Sequence, residues 1–223
     1  MISKHIGKIV RKDIINNKYI LLDIQSSENL KYKSGQYVSL FIKDKIQRSF
    51  SVYSPDNSNI LSLGIKIEEN GIGSNAILND YKIGDNLDFL GPIGNFHYMG
   101  DQSDKLVFIA TGIGIIPIKG IIDNLITNRI NKELSLFWGV RTEDDILFNF
   151  NNYNIKYVQT VSRPSDNIKN VGYIQNYINE NTAYIDKNTS IYICGAPENV
   201  DTIKYYLKDK FTVDFNKIYT EKF

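Results

Sequence analysis

Apolar and polar positions change rhythm near the middle of the chain. In the N-terminal half, short runs rich in β-formers follow one another: HIGKIVRK (5–12), KYILLDIQ (18–25), QYVSLFI (36–42), RSFSVYS (48–54), ILSLGIKI (60–67) and NLDFL (86–90). Alternating segments of this length, bounded by Gly, Asn, Asp and Pro, read as strands, and six of them predict a closed antiparallel barrel. Between the fifth and sixth, GSNAILNDY (73–81) has helical spacing and a Ser–Asn pair near its start, which predicts one short capped helix.

From residue 102 the pattern becomes compact apolar runs, KLVFIA, ELSLFWG, IKYVQTV and SIYICG. Each is followed by a stretch with helical spacing: IIPIKGIIDNLIT, EDDILFNF, VGYIQNYINE and PENVDTIKYYLKD, with VDFNKIY closing the chain. Strand then helix, repeated, predicts a parallel α/β sheet with helices on both faces. The polar, turn-rich HYMGDQSDK (97–105) separates the halves, so the expected domains are 1–99 and 100–223.

Composition narrows the functional classes. The net charge of +1 gives no electrostatic footprint for nucleic acid or an anionic membrane. Apolar residues at 42% and charged residues at 23% support packed domains rather than disorder. The single cysteine, Cys194, leaves no intramolecular disulfide and no cysteine-built iron–sulfur or zinc site within the chain, and the two histidines, His5 and His97, have no ligand spacing. The N-terminus MISKHIGKIVRKD lacks a signal peptide's apolar core, and no window reaches membrane-spanning length, so a soluble cytoplasmic protein without membrane insertion is expected.

Candidate chemistry lies at two strand ends of the second half. TGIGIIP, Thr111 to Pro117, would deliver a parallel strand to a helix N-terminus through Gly112 and Gly114, where backbone N–H groups converge on an anion. Pro117 suits a first helical turn. The pattern is G-x-G-x-x-P rather than the full dinucleotide fingerprint, and it reads either as a phosphate loop or as a plain tight turn. CGAP, Cys194 to Pro197, again opens a helix, and two glycine-bearing strand ends of one parallel sheet can face a common crevice. Taken alone, Cys194 reads as a small buried hydrophobe.

Six ordered segments, RSFSVYS, GIGSNAIL, GPIGNF, TGIGIIP, GVRTEDDILF and CGAP, together resemble the ferredoxin–NADP reductase superfamily over essentially the whole chain. The resemblance implies a flavin-binding barrel followed by a pyridine-nucleotide domain. It implies FAD held by the strand Arg48, Ser49, Phe50 and Ser51, with Arg48 on the pyrophosphate, Phe50 against the isoalloxazine and Ser51 near N5. Many relatives have tyrosine at the position of Phe50. Gly71, Ile72, Gly73 and Ser74 would meet the diphosphate, with Lys66 as a further charge. GPIGNF would help seat the flavin and is given no chemistry of its own.

In the second domain the resemblance places the coenzyme pyrophosphate on Thr111, Gly112, Gly114 and Pro117, and the nicotinamide over Cys194, Gly195 and Pro197. The terminal EKF would set Phe223 against the flavin and Glu221 near Ser51. Ser51, Cys194 and Glu221 are therefore the implied catalytic positions. Arg141, Ser162, Arg163, Tyr173 and Gln175 match the positions that hold a 2′-phosphate, which favours NADPH over NADH. Gly172 replaces a basic residue of some relatives, Thr142–Glu143–Asp144 adds acid found in NADH users, and Arg163 also reads as a solvated loop charge. Without an iron–sulfur domain, electrons would pass to ferredoxin or flavodoxin, or to a small-molecule acceptor. Two further readings are an NAD(P)H:flavin oxidoreductase that reduces free flavin, and a non-catalytic nucleotide-binding adaptor.

Overall fold

The computed structural model describes residues 2–28, 30–43, 46–165, 169–179 and 185–223. Two compact units make up the fold: Met1–Tyr98 with Lys119–Arg129, and Met99–Ile118 with Ile130–Phe223. Among the described residues no helix is long and apolar enough to cross a membrane.

The first unit is a curled antiparallel sheet of β1 (Ser3–Ile15), β2 (Tyr19–Ser26), β3 (Tyr37–Ile42), β4 (Ile46–Ser51), β5 (Ile60–Lys66) and β6 (Asn86–Ile93). The strand order is β4-β3-β6-β1-β2-β5. Closure is light: one bridge joins Val52 to Leu63, and the Tyr53 N–H donates to the Ser62 carbonyl at 2.9 Å. Inward positions fill the interior with Ile9, Ile20, Leu22, Ile24, Leu40, Leu63 and Phe89, all fully buried. This is the period-2 pattern of a sheet curled around its own core.

The helix α1 (Ile72–Asp80) starts earlier than its Ser–Asn pair predicts. Its N-cap is Gly71, which makes no side-chain capping bond. Ser74 and Asn75 lie inside the first turn. There the Ser74 hydroxyl accepts from the Glu68 N–H and donates to the Gly71 carbonyl, both at 3.2 Å, while the Asn75 amide donates to the Glu68 and Gly71 carbonyls at 2.9 Å. These short polar side chains stabilise the turn entering the helix instead of its cap.

The second unit is a parallel sheet of β7 (Lys105–Thr111), β8 (Glu133–Val140), β9 (Lys156–Val161), β10 (Thr189–Gly195) and β11 (Ile218–Lys222), ordered β11-β10-β7-β8-β9. A 3₁₀ turn, Gly112–Gly114, leads from β7 into α2 (Ile115–Thr127). The helices α3 (Ile174–Asn179) and α4 (Pro197–Lys210) set Ile174, Ile178, Val200, Ile203 and Leu207 onto Val107, Ile109, Phe137, Ile191 and Ile193 of the sheet. The alternate residues Phe108, Trp138 and Tyr192 belong to the opposite face, where the rings of Phe108 and Tyr192 stack at 5.2 Å.

The helix expected over EDDILFNF does not form: only Glu143–Asp145 makes a 3₁₀ turn. A capping box between Thr142 and Asp145 closes that turn, and the segment then runs irregularly to Phe150. Phe150 is fully buried and meets Trp138 edge-on at 6.3 Å. Of the apolar residues Ile146, Leu147, Phe148 and Phe150, only Phe150 is fully buried.

Candidate functional site

In the first unit, β4 carries the Arg–Ser–Phe–Ser stretch along one side of the sheet order. Its ladder with β3 sets Arg48 opposite Leu40 and Phe50 opposite Val38, while Ser49 and Ser51 oppose Ser39 and Tyr37. Opposed residues share a face, so the guanidinium and the phenyl ring lie on one side and the two hydroxyls on the other. Arg48 and Ser49 are exposed, and Phe50 is half-buried against the core. Nη1 of Arg48 donates to its neighbour's carbonyl, Gln47 O, at 2.8 Å, and no carboxylate pairs with Arg48 among the described residues.

The N-terminus of α1 packs against the aliphatic stem of the same arginine. A β-carbon on Gly73 would lie 2.7 Å from Cγ of Arg48, so only glycine admits this approach. The first turn of α1 carries no acidic residue. The N–H groups of that turn and the positive end of its dipole thus lie beside Arg48, a donor set that suits a diphosphate. Two other expected donors are already engaged. Lys66 pairs with Glu68 at 2.6 Å, and the Ser74 hydroxyl is held within its turn. Ile72 stands exposed at the first helical position.

In the second unit, the strand order places β7 between β8 and β10, and the chain reverses its direction across the sheet there. Parallel α/β sheets bind ligands outside the strand ends at such a reversal. Both expected glycine motifs meet at this point. A β-carbon on Gly114 would overlap the Cys194 carbonyl oxygen, and one on Gly195 would overlap Oγ1 of Thr111. Gly112 (φ +53°) and Gly195 (φ +156°) both have positive φ, which favours glycine. The indole Nε1 of Trp138 donates to the Gly112 carbonyl at 2.9 Å. The Asn199 amide, from the first turn of α4, reaches Oγ1 of Thr111 at 3.5 Å. The result is a backbone turn at the start of α2 with open space beside Gly112, which suits a pyrophosphate. Pro117 sits in the first turn of α2 and Pro197 opens α4.

Cys194 is fully buried. Burial first, and then the carboxylate of Glu221, push its thiol pKa well up, so it stays protonated at neutral pH. Glu221 and Lys222 of the terminal EKF belong to β11, with Glu221 opposite Cys194 and Lys222 opposite Gly195. The Phe223 N–H donates to the Gly195 carbonyl at 3.3 Å, and its ring is 50% exposed. Ser51 belongs to the first unit and Glu221 to the second.

The coenzyme-discriminating candidates gather at the ends of β8 and β9. The Ser162 N–H donates to the Val140 carbonyl at 3.0 Å and the Arg163 N–H to the Arg141 carbonyl at 2.8 Å, so the two arginines follow neighbouring strands. Both are exposed. Tyr173, 67% exposed, precedes α3, and Gln175 lies in that helix's first turn. Of the acidic neighbours, Asp144 is exposed, while Glu143 and Asp145 bond within the loops. Glu143 accepts from the Ser165 N–H at 3.1 Å and its hydroxyl at 3.2 Å, and Asp145 accepts from the Thr142 hydroxyl at 3.0 Å. The Glu143–Ser165 clasp and the Trp138–Gly112 bond have no sequence signature, because each pairs residues more than twenty positions apart.

Comparison with known proteins agrees with this geometry. An oxidoreductase FAD-binding domain matches residues 7–98, and an oxidoreductase NAD-binding domain matches residues 108–204. The chain is 28% identical over 224 residues to the anthranilate 1,2-dioxygenase electron transfer component of Acinetobacter baylyi, covering 95% of this chain and 64% of that protein. It therefore spans less than two thirds of this relative's length. Among solved structures, the ferredoxin reductase in carbazole 1,9a-dioxygenase superposes with a TM-score of 0.90 at 21% identity, covering 100% of this chain and 70% of that one. Ferredoxin–NADP⁺ reductase from Plasmodium falciparum gives 0.82 at 25% identity, over 98% and 95% of the two chains.

Proposed function

This chain belongs to the ferredoxin–NADP-reductase-like superfamily of FAD- and NAD(P)-binding oxidoreductases, and on that premise we propose that it is a flavoenzyme carrying electrons from NAD(P)H through FAD to a separate protein. The observation that supports this reading is the close approach of Arg48 and the acid-free N-terminus of α1 within the FAD-binding match. When bound, the dihydronicotinamide supplies a hydride that the flavin takes up and releases as single electrons.

The protein's own groups align and insulate. Arg48 would hold the FAD diphosphate with its guanidinium fork, assisted by the N–H groups of residues 72–74. Phe50 offers a flat apolar surface to the ring system, and Ser51 a hydroxyl near N5. The Thr111–Gly114 turn, backed by Gly195, holds the coenzyme pyrophosphate. The buried, protonated thiol of Cys194 acts by packing beneath the nicotinamide; it neither attacks nor takes a proton. Phe223, beside Gly195, gives a half-exposed ring that yields to the nicotinamide. Holding donor and acceptor atoms in near-attack geometry is the catalytic task, with no protein nucleophile required.

NADPH is the preferred coenzyme in this reading. Arg141 and Arg163 stand exposed at adjacent strand ends, while the Glu143 carboxylate is engaged by Ser165. The acceptor is ferredoxin or flavodoxin. In support, the Acinetobacter relative is an electron transfer component, and the Plasmodium structure is a ferredoxin–NADP⁺ reductase. A cytoplasmic location fits the use of a single, unpaired cysteine. The test is an acceptor comparison on FAD-loaded protein after gel filtration. Retained FAD with faster reduction of ferredoxin or flavodoxin than of free flavin supports the proposal. Loss of flavin from the column, with free flavin as the best acceptor, overturns it.

A further inference from the structure

Trp138 is the chain's only tryptophan and is fully buried on β8. We infer that it is a positioning residue for coenzyme binding: its indole N–H fixes the Gly112–Ile113 peptide so that the turn is set before the pyrophosphate arrives. This rests on the proposed coenzyme role of the Thr111–Gly114 turn.

The geometry makes the turn's conformation depend on one side chain. The Gly112 carbonyl accepts from Nε1 of Trp138 at 2.9 Å and also from the N–H of Ile115 at the start of α2. With both lone pairs of that oxygen engaged, the carbonyl has a fixed direction. A trans peptide is planar, so its N–H, here that of Ile113, points the opposite way, away from the indole. Gly112 has φ +53° and open space where a β-carbon would stand, so sterics do not hold its peptide in place. The indole cannot easily let go. Phe150 closes on it edge-on at 6.3 Å and is itself backed by Tyr157 at 5.4 Å and Tyr153 at 5.0 Å. Any turn conformation that breaks the bond leaves a buried N–H without an acceptor, a disfavoured state. The turn is thus preorganised, and preorganisation appears as affinity.

Because the pyrophosphate is common to both coenzymes, the effect is independent of the 2′-phosphate. Trp138→Phe keeps an aromatic ring and removes the donor. It should raise KM and Kd for NADPH and for NADH alike by roughly five- to tenfold, with kcat at saturation within about twofold. A lowered kcat with unchanged KM would overturn the inference.

A second measurement uses the wild-type FAD-loaded chain, so it does not depend on the variant folding. In uniformly ¹⁵N-labelled protein the one tryptophan gives a single indole N–H resonance, and it should shift on addition of NADP⁺ and of NAD⁺. If the backbone amides of 111–114 shift while the indole signal stays still, the inference fails and the coenzyme role of the turn survives. If neither moves at saturating coenzyme, both fail.

Discussion

The backbone at Gly114 runs against the carbonyl of Cys194, closely enough that a β-carbon there would lie 2.5 Å from the carbonyl carbon and overlap its oxygen. Both contact partners are main chain, so no rotamer change relieves the overlap. The turns after β7 and β10 therefore form one continuous surface, built from residues far apart in sequence. Gly114→Ala should force the two turns apart, lowering stability by about 1–3 kcal/mol and weakening NAD(P)⁺ binding at least tenfold, while FAD content is unchanged. Thermal unfolding and coenzyme titration of one preparation check this; unaltered coenzyme affinity would refute it.

Arg48 should decide flavin retention. Removing a charge-assisted fork from a diphosphate costs about 1.5–3 kcal/mol, or roughly ten- to a hundredfold in affinity. Arg48→Ala should lose most of its FAD on gel filtration, with Arg48→Lys intermediate because an ammonium keeps the charge but not the fork. A full complement of FAD in the alanine variant would remove Arg48 from the site.

Coenzyme preference should depend on Arg163. Arg163→Ala is expected to lower kcat/KM for NADPH by about ten- to a hundredfold and for NADH by less than about threefold, the scale of one phosphate contact. Equal losses for the two coenzymes would exclude a 2′-phosphate role.

The N-terminal edge of the second unit's sheet should give it an acid-sensitive foothold. Asp101 accepts from the Ser190 hydroxyl, the Ser103 N–H at 3.0 Å and the Tyr219 hydroxyl at 3.3 Å. Burial pushes its pKa up, but these bonds outweigh that and hold it below the ordinary carboxylate value. A depressed folded-state pKa means that the stabilisation is complete above the unfolded value of about 4 and is lost as pH falls through the folded one. Asp101→Asn should therefore be less stable than wild type at pH 7, by about 1–2 kcal/mol, and the gap should narrow below about pH 4. Denaturant melts across this range check it, and a gap that widens on acidification would contradict it.

Much of the architecture was legible because strand and helix periods differ. KLVFIA, a short continuous apolar run, became β7, buried on both faces, and IIPIKGIIDNLIT and PENVDTIKYYLKD became α2 and α4, whose apolar residues recur at helical spacing. EDDILFNF misled because its acidic start looks like a helix entry, whereas Asp145 closes a single turn on Thr142 and Phe150 is taken up by the aromatic cluster around Trp138. Ser74 has a capping residue's chemistry but sits inside the helix. Hydrogen bonds between distant segments left no local trace. Asp101 meets Tyr219 across 118 positions and Trp138 meets Gly112 across 26. Order along the chain says nothing about either pair.

Anaerobic mixing of the purified, FAD-loaded chain with NADPH, and with NADH in parallel, tests most directly whether this protein is a coenzyme-driven flavoenzyme. Rapid bleaching of the visible flavin band, faster with NADPH and complete at one coenzyme per flavin, is the expected result. A flavin band that persists with both coenzymes, in protein that carries stoichiometric FAD, would contradict it.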